Sequence, residues 1–186
     1  MSLRAITNLL VLATAVSAGP APSNTTPDSV TKTTTLTGVT HSVVAGLGGL
    51  RFDPDNVVAE IGDIVEWHFL PANYSLAQSS FVDPCKPLAP GTGFFPGFEF
   101  ATKEGQAPNV FQLEVKDKTP IWYYCPQREG SHCQRGMAGV INQNYDDPNV
   151  SLRRYKEMAA LTGQSIVPAV NGVGRVIPNP NPNGGF

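Results

Sequence analysis

One short loop constrains this chain more than any other feature of its sequence. Residues 123–137 contain two cysteines, a histidine and a methionine, namely Cys125, His132, Cys133 and Met137. A strand-like run, 121–124, leads into the loop, and an apolar run, 137–141, leads out of it. Soft sulfur donors beside an imidazole are the ligands that a copper ion prefers. The loop therefore predicts two neighbouring strands whose connection could present a copper ligand set.

The N-terminal residues predict export from the cell. Arg4 precedes an apolar run, 6–16, and Val16-Ser17-Ala18 has the small residues of a cleavage site, so residues 1–18 are typical of a secretory signal peptide. Residues 19–38 are rich in Ser, Thr and Pro and predict a flexible leader. We therefore expect a secreted, extracellular protein.

The C-terminal residues predict one helix and then a tail. Apolar residues recur near helical spacing within 146–163, and Gly163 is a natural residue to follow a helix. Residues 164–186 are rich in Pro, Gly and Asn, which predicts disorder. No terminal apolar run follows, so we expect neither a membrane span nor a lipid anchor. The formal net charge of −2 and the lack of a basic patch exclude a typical nucleic-acid partner.

The intervening residues, 39–145, are patterned as strands. Short runs with β-branched or alternating apolar residues are separated by turn residues, and these runs are 39–45, 56–60, 64–70, 74–81, 110–115, 121–124 and 137–142. The long Pro- and Gly-rich stretch 86–109 contains several phenylalanines and is expected to cover part of the core. Seven or eight short strands and one terminal helix predict an all-β Greek-key β-sandwich.

Three cysteines in an oxidising compartment leave one without a disulfide partner. Cys133 adjoins His132, so in an extended chain its side chain points the opposite way. Its pairing with Cys85 fits better than a role as a second ligand. That bridge would close a loop of roughly 50 residues and stabilise the fold by about 3–4 kcal/mol. Cys125 would then remain free, as a copper thiolate requires.

Each candidate ligand also has a simpler explanation. Free cysteines are common in protein cores, so Cys125 could be an inert buried thiol. Met137 could serve core packing, and His132 could be an exposed loop residue. The combination of the three in one loop carries more weight than any one of them. A type 1 copper site needs one thiolate, two imidazoles and a weak axial thioether.

The sequence resembles the small secreted cupredoxin-like proteins of fungi, which are related in fold to plant phytocyanins. The stretches that carry the resemblance are 52–67, 72–85, 120–125 and 132–142. The resemblance implies a cupredoxin sandwich, a disulfide next to the ligand histidine and, in copper-binding members, a blue-copper electron-transfer site. Carried over to this chain, it makes Cys125 the thiolate, His132 one imidazole and Met137 the axial ligand.

The chain departs from the family pattern at the first imidazole. The family motif is Asn-His-Ser/Thr, whereas this chain has Asn73-Tyr74-Ser75. A phenol must lose a proton at a pKa near 10 to bind a metal, and phenolate is a harder donor than imidazole. His41, at the start of the first strand, and His68, in the middle of a strand, are not obvious substitutes.

Two hypotheses follow for the function. In the first, the copper site is partly degenerate, and the protein is a non-enzymatic extracellular binding or cell-surface module with an unidentified extracellular or cell-wall partner. In the second, it is a copper-binding electron-transfer protein with an altered site of Cys125, His132 and Met137. Catalysis by a cysteine nucleophile is disfavoured because no third, orienting group accompanies Cys125 and His132. The sequence predicts no oligomeric state.

Three sites match the sequence requirement for N-linked glycosylation. The acceptor asparagines would be Asn24, Asn73 and Asn149. The second of these sites overlaps the position where Tyr74 replaces the ligand histidine.

Overall fold

In a computed structural model of the chain, residues 38–185 are described. The expected signal peptide (1–18) and nearly all of the expected leader (19–38) lie outside these residues. The described part contains nine strands and one helix: β1 Thr40–Ala45, β2 Phe52–Asp53, β3 Asn56–Val57, β4 Ile64–Phe69, β5 Ala77–Ser79, β6 Asn109–Glu114, β7 Ile121–Tyr124, β8 Ala138–Ile141, α1 Leu152–Ala160 and β9 Arg175–Pro178.

The strands form two sheets. One sheet has the order β2-β1-β4-β6-β9, and the other has the order β3-β8-β7-β5. Most neighbours are antiparallel, but β1 pairs with β4 and β3 pairs with β8 in parallel. Because parallel neighbours cannot be joined by a tight hairpin, the chain crosses between the sheets rather than meandering along one of them. The predicted all-β sandwich with a short C-terminal helix is confirmed.

An aromatic core lies between the two sheets. Trp67 of β4 is fully buried, with ring centroids of Phe111 and Tyr123 at 5.8 and 5.3 Å. The expectation that the stretch 86–109 covers the core is confirmed, because Phe94 and Phe100 are buried in the same apolar cluster. Aromatic pairs at these separations add about 0.5–1.5 kcal/mol each to the free energy of burial.

The helix α1 packs on the second sheet through aromatic residues. Tyr155 stacks on Trp122 of β7 with a centroid separation of 5.5 Å, and its hydroxyl hydrogen-bonds to Ser79 Oγ. Ser151 is the N-cap residue, and its side chain accepts a hydrogen bond from the backbone N–H of Arg154. The helix lies within the predicted range 146–163 but is shorter, because Ser151 caps its start and Leu161 its end. No helix among residues 38–185 is long and apolar enough to cross a membrane.

For the described residues 164–185, the structure differs from the disorder predicted for 164–186. Residues 175–178 form β9, which pairs antiparallel with β6 at the edge of the first sheet. Ile166 donates its backbone N–H to Cys85 O (2.9 Å), so this segment is also tied to the chain before the long loop. Its polar residues bond to groups distant in sequence, for example Asn179 to Ala107 O, and composition does not reveal such partners.

Candidate metal-ligand site

The alternation of β7 places Cys125 inside the sandwich. Tyr123 and Cys125 belong to the apolar cluster between the sheets, whereas Trp122 and Tyr124 belong to the cluster beneath the helix. This is the period of two that a strand imposes on its side chains. Cys125 directly follows the strand and donates its backbone N–H to Met137 O at 2.9 Å, so the two ends of the loop are paired.

The loop folds back and turns His132 toward the thiol. Met137 N–H donates to His132 O at 3.0 Å, and Gly130 and Ser131 adopt left-handed backbone conformations just before the histidine. As a result, His132 Nδ1 lies 3.4 Å from Cys125 Sγ. Met137 is fully buried in the same cluster as Cys125.

Burial favours the uncharged forms of Cys125 and His132. Desolvation raises the pKa of Cys125 to about 11, although the backbone N–H groups of Ser75 and Gln127 hydrogen-bond to the sulfur and oppose the rise. Desolvation also lowers the pKa of His132, with a further contribution from the charge of Arg135. A neutral thiol beside a neutral imidazole can donate its S–H hydrogen to Nδ1.

Tyr74 lies beside the imidazole. Its side chain is buried, and its ring centroid is 5.4 Å from that of His132. Desolvation raises the pKa of its phenol above the ordinary value, and a thiolate at Cys125 would raise it further. Gly46 makes room for the ring, since a Cβ at that position would come within 2.3 Å of Tyr74 Cε2. The phenol is therefore accommodated as a neutral, packed side chain.

The donors match part of a type 1 copper site. Metal–sulfur and metal–nitrogen bonds of about 2.3 and 2.0 Å at a tetrahedral angle would hold sulfur and nitrogen about 3.5 Å apart, close to the 3.4 Å between Cys125 Sγ and His132 Nδ1. Cys125 and His132 therefore bring a soft and a borderline donor together, and Met137 is buried in the same apolar cluster as Cys125. Among residues 38–185, no group of three or more His, Cys, Asp or Glu side chains could hold a metal ion.

The other histidines do not supply the missing imidazole. His41 Nε2 contacts Asp63 Oδ2 at 2.8 Å, and His68 lies between Glu66 and Gln106 at 2.8 and 3.0 Å. Both belong to strands of the first sheet, whereas the ligand loop joins two strands of the second. The complete type 1 set of two imidazoles, a thiolate and a thioether thus does not fit this chain.

The predicted Cys85–Cys133 disulfide is present. It joins a residue early in the connection from β5 to β6 to the residue that follows His132, across 48 positions of sequence. Residues 128–136 form turns rather than extended chain, and within them Cys133 is bonded to Cys85 while His132 faces Cys125. Cys125 is the free cysteine among the described residues, and it is buried.

We expect the thiol of Cys125 to resist alkylation in the folded protein. At pH 8 and without reductant, iodoacetamide should label no cysteine of the native chain, because the thiol is inaccessible and its pKa is raised to about 11. In denaturant, still without reductant, intact-mass analysis should find one label at Cys125. Labelling of Cys85 or Cys133 in that sample would contradict the disulfide, and rapid labelling of the native protein would contradict the burial.

Two acceptor asparagines for glycosylation lie within the described residues, and both are exposed. Asn73 stands at the rim of the site, between β4 and β5, and Asn149 lies just before α1. Asn24 lies outside the described residues.

Comparison with known proteins identifies two curated relatives from the fungus Arthroderma benhamiae. The chain is 33% identical over 141 residues, 74% of its length, to "Extracellular serine-rich protein". It is 31% identical over 127 residues, 68% of its length, to "Probable GPI-anchored cupredoxin-1". The chain is cupredoxin-like. The resemblance to fungal secreted cupredoxin-like proteins is thus confirmed.

The chain matches only part of the length of each relative. The cupredoxin-like chain spans 53% and 62% of the lengths of the two relatives. Among solved structures, it is similar to native pseudoazurin from Hyphomicrobium denitrificans with 19% identity and a TM-score of 0.37, covering 68% of this chain and all of that one. No protein-family model matches the chain.

Two features of this cupredoxin-like site have no recognisable signal in the sequence. The space that Gly46 provides for Tyr74 comes from the turn after β1, and a single glycine in a Gly-rich turn carries no signal of such a contact. A small opening beside His132 brings together residues from two loops that are distant in sequence.

Proposed function

We propose that this chain is a secreted cupredoxin-like protein with a partly degenerate type 1 copper site, in which Tyr74 stands where the family has a ligand histidine. It would act as a non-enzymatic extracellular binding or cell-surface module. The names of its relatives support this location, since one is called extracellular and the other GPI-anchored.

The observation that carries the proposal is the packing of Tyr74. Its ring lies beside His132, and its buried phenol has a raised pKa, so it stays protonated at neutral pH. A protonated phenol is a poor ligand for copper. Since a metal site binds tightly only with its full set of deprotonated ligands, loss of one equatorial donor weakens copper binding.

One observation favours a second candidate, a copper-binding electron-transfer protein with an altered site. The separation of 3.4 Å between Cys125 Sγ and His132 Nδ1 suits two donors to one ion. Bound copper would supply one-electron redox chemistry. Cys125 would have to release its thiol proton, His132 would present the unprotonated Nδ1, and Met137 would add a thioether. Copper binding would therefore release a proton and weaken as the pH falls.

The substitution Tyr74→His tests the proposal. Wild-type protein mixed with copper(II) should develop no intense visible thiolate-to-copper band and retain no stoichiometric copper after gel filtration. The Tyr74→His variant should develop the band and retain the metal, because it restores the second imidazole. Optical spectra and elemental analysis check both results. Tyr145→His is the matched control, since Tyr145 is exposed and lies outside the site, and it should behave like the wild type.

Two other outcomes would overturn these assignments in different ways. An intense band and stoichiometric copper in the wild type would establish the second candidate in place of the first. A colourless, copper-free Tyr74→His variant with an unchanged fold would show that the assignment of Cys125, His132 and Met137 as ligands is wrong.

A further inference from the structure

The outer edge of His132 faces a small depression on the surface. Nδ1 points inward to Cys125 Sγ, so Nε2 points outward. The depression has a volume of about 170 Å³ and is lined by His132 and four neighbours, Ala72, Asn73, Gln127 and Glu129. Gly130 leaves this edge uncovered, because a Cβ there would lie 3.5 Å from His132 Nε2. This is the route by which a partner would reach the imidazole.

Asn73 stands on the rim of this depression and is held there. Its side chain is exposed, and its backbone carbonyl accepts a hydrogen bond from Gln127 Nε2 at 3.3 Å. Gln127 belongs to the ligand loop, so Asn73 keeps a defined position beside His132. Asn73 is also the first residue of Asn73-Tyr74-Ser75, which meets the sequence requirement for N-glycosylation.

The burial of Ser75 limits when a sugar could be added. Ser75 is fully buried, and its Oγ donates to Gly97 O at 2.5 Å, so the folded protein hides the hydroxyl that the glycosylating enzyme must recognise. Transfer must therefore precede folding, as it does on chains entering the secretory pathway. The exposed Asn73 side chain leaves the folded protein room to carry the product.

From this geometry we propose that Asn73 carries an N-linked oligosaccharide that covers the Nε2 edge of His132. The inference rests on the proposed secretion of the chain but not on copper binding. A branched oligosaccharide is bulky and hydrophilic, and an attachment point on the rim places its first sugars over the depression. Small solutes would reach the depression more slowly, and the surface of another protein would be kept away from His132. Such shielding favours a binding module over a carrier that docks with redox proteins.

The test uses the full chain secreted from a yeast host. Peptide mapping with mass spectrometry should find Asn73 glycosylated. Diethyl pyrocarbonate should then modify His132 slowly relative to His41, which lies at the start of β1 on the other sheet and serves as an internal reference. Trimming with an endoglycosidase that leaves only the first sugar, and so adds no charge, should raise the His132-to-His41 labelling ratio about threefold, because the bulk of the oligosaccharide is gone.

Two variants show whether the change in His132 labelling comes from the oligosaccharide at Asn73 or from one elsewhere on the chain. Asn73→Gln should show the high labelling ratio with or without the endoglycosidase. Asn149→Gln, which removes the acceptor before α1, should behave like the wild type. The inference is overturned if Asn73 is bare, or if trimming leaves the ratio unchanged. A bare Asn73 in chains that leave the cell would spare the proposed secretion, whereas retention of the chain in the cell would refute secretion as well. Neither readout depends on a metal.

Discussion

Replacing Glu66 by alanine should lower the free energy of unfolding by about 3–5 kcal/mol, because removal of one partner leaves a buried polar pair uncompensated. Glu66 and His68 lie in β4 of the first sheet, and both are more than nine-tenths buried. Glu66 Oε1 contacts His68 Nε2 at 2.8 Å, and Glu66 Oε2 accepts a hydrogen bond from Gln112 Nε2 at 2.5 Å. The substitution would disrupt both contacts.

The neighbouring amides orient His68. Gln106 donates its Nε2 hydrogens to the carbonyl oxygens of Asn181 and Gly184, so its Oε1 faces His68 Nδ1. The other imidazole nitrogen faces the Glu66 carboxyl group. Glu66→Ala would remove this partner of His68.

The network also binds the C-terminal segment to the sandwich. Arg175 of β9 donates its Nε–H to Gln112 Oε1 at 2.9 Å, and Asn179 Nδ2 donates to Gln106 Oε1 at 2.9 Å. The loss of Glu66 should therefore also increase hydrogen exchange in residues 175–178 more than in β7.

Denaturant unfolding and hydrogen exchange check this prediction. The matched control is Glu114→Ala in the adjacent strand β6, where the carboxylate is exposed and pairs with Lys116. That variant should change the free energy of unfolding by no more than about 0.5 kcal/mol. Equal losses in the two variants, or an unchanged exchange rate in β9, would show that the buried network contributes little.

The second large effect is expected for the disulfide. A chain with Cys85→Ala and Cys133→Ala should lose about 4 kcal/mol of unfolding free energy, because the bridge closes a long loop and so restricts the unfolded chain. The 48-residue separation sets this magnitude. Both half-cystines are buried beside α1, so some further loss of packing is expected.

Reduced wild-type protein provides the control for that prediction. Unfolding in the presence of a reductant breaks the same bond without changing any residue, and its free energy should agree with that of the double variant to within about 1 kcal/mol. If the reduced and oxidised wild type unfolded at the same denaturant concentration, the stabilising role of the bridge would be refuted.

The sequence predicted the parts of this protein that depend on local pattern. The β-branched runs indicated most of the longer strands, and β7, 121–124, has the predicted bounds. The alternation that ends in Cys125 is equally local, because every second side chain of a strand faces the same side. The predicted pairing of Cys85 with Cys133 is confirmed, although residues 128–136 form turns and not the extended chain on which that prediction relied.

The ordered structure of the C-terminal segment could not be predicted from local sequence pattern. Residues 164–185 have the composition of a disordered tail, and their polar groups are ordered by partners such as Gln112, Gln106 and Cys85 O. Two-residue strands such as β2 and β3 were likewise too short to carry a periodic signal. In each case the stabilising contact is remote in sequence.

The sequence by itself determined the class of fold, the disulfide and the identity of the candidate ligands, because these depend on residue type and on the pattern of residues along the chain. Only the tertiary structure decided what surrounds those ligands. It packs Tyr74 beside His132 in the space left by Gly46, buries the thiol so that its pKa rises to about 11, and sets Asn73 on the rim of the outer opening. These properties depend on desolvation and on contacts between loops that only the folded chain brings together.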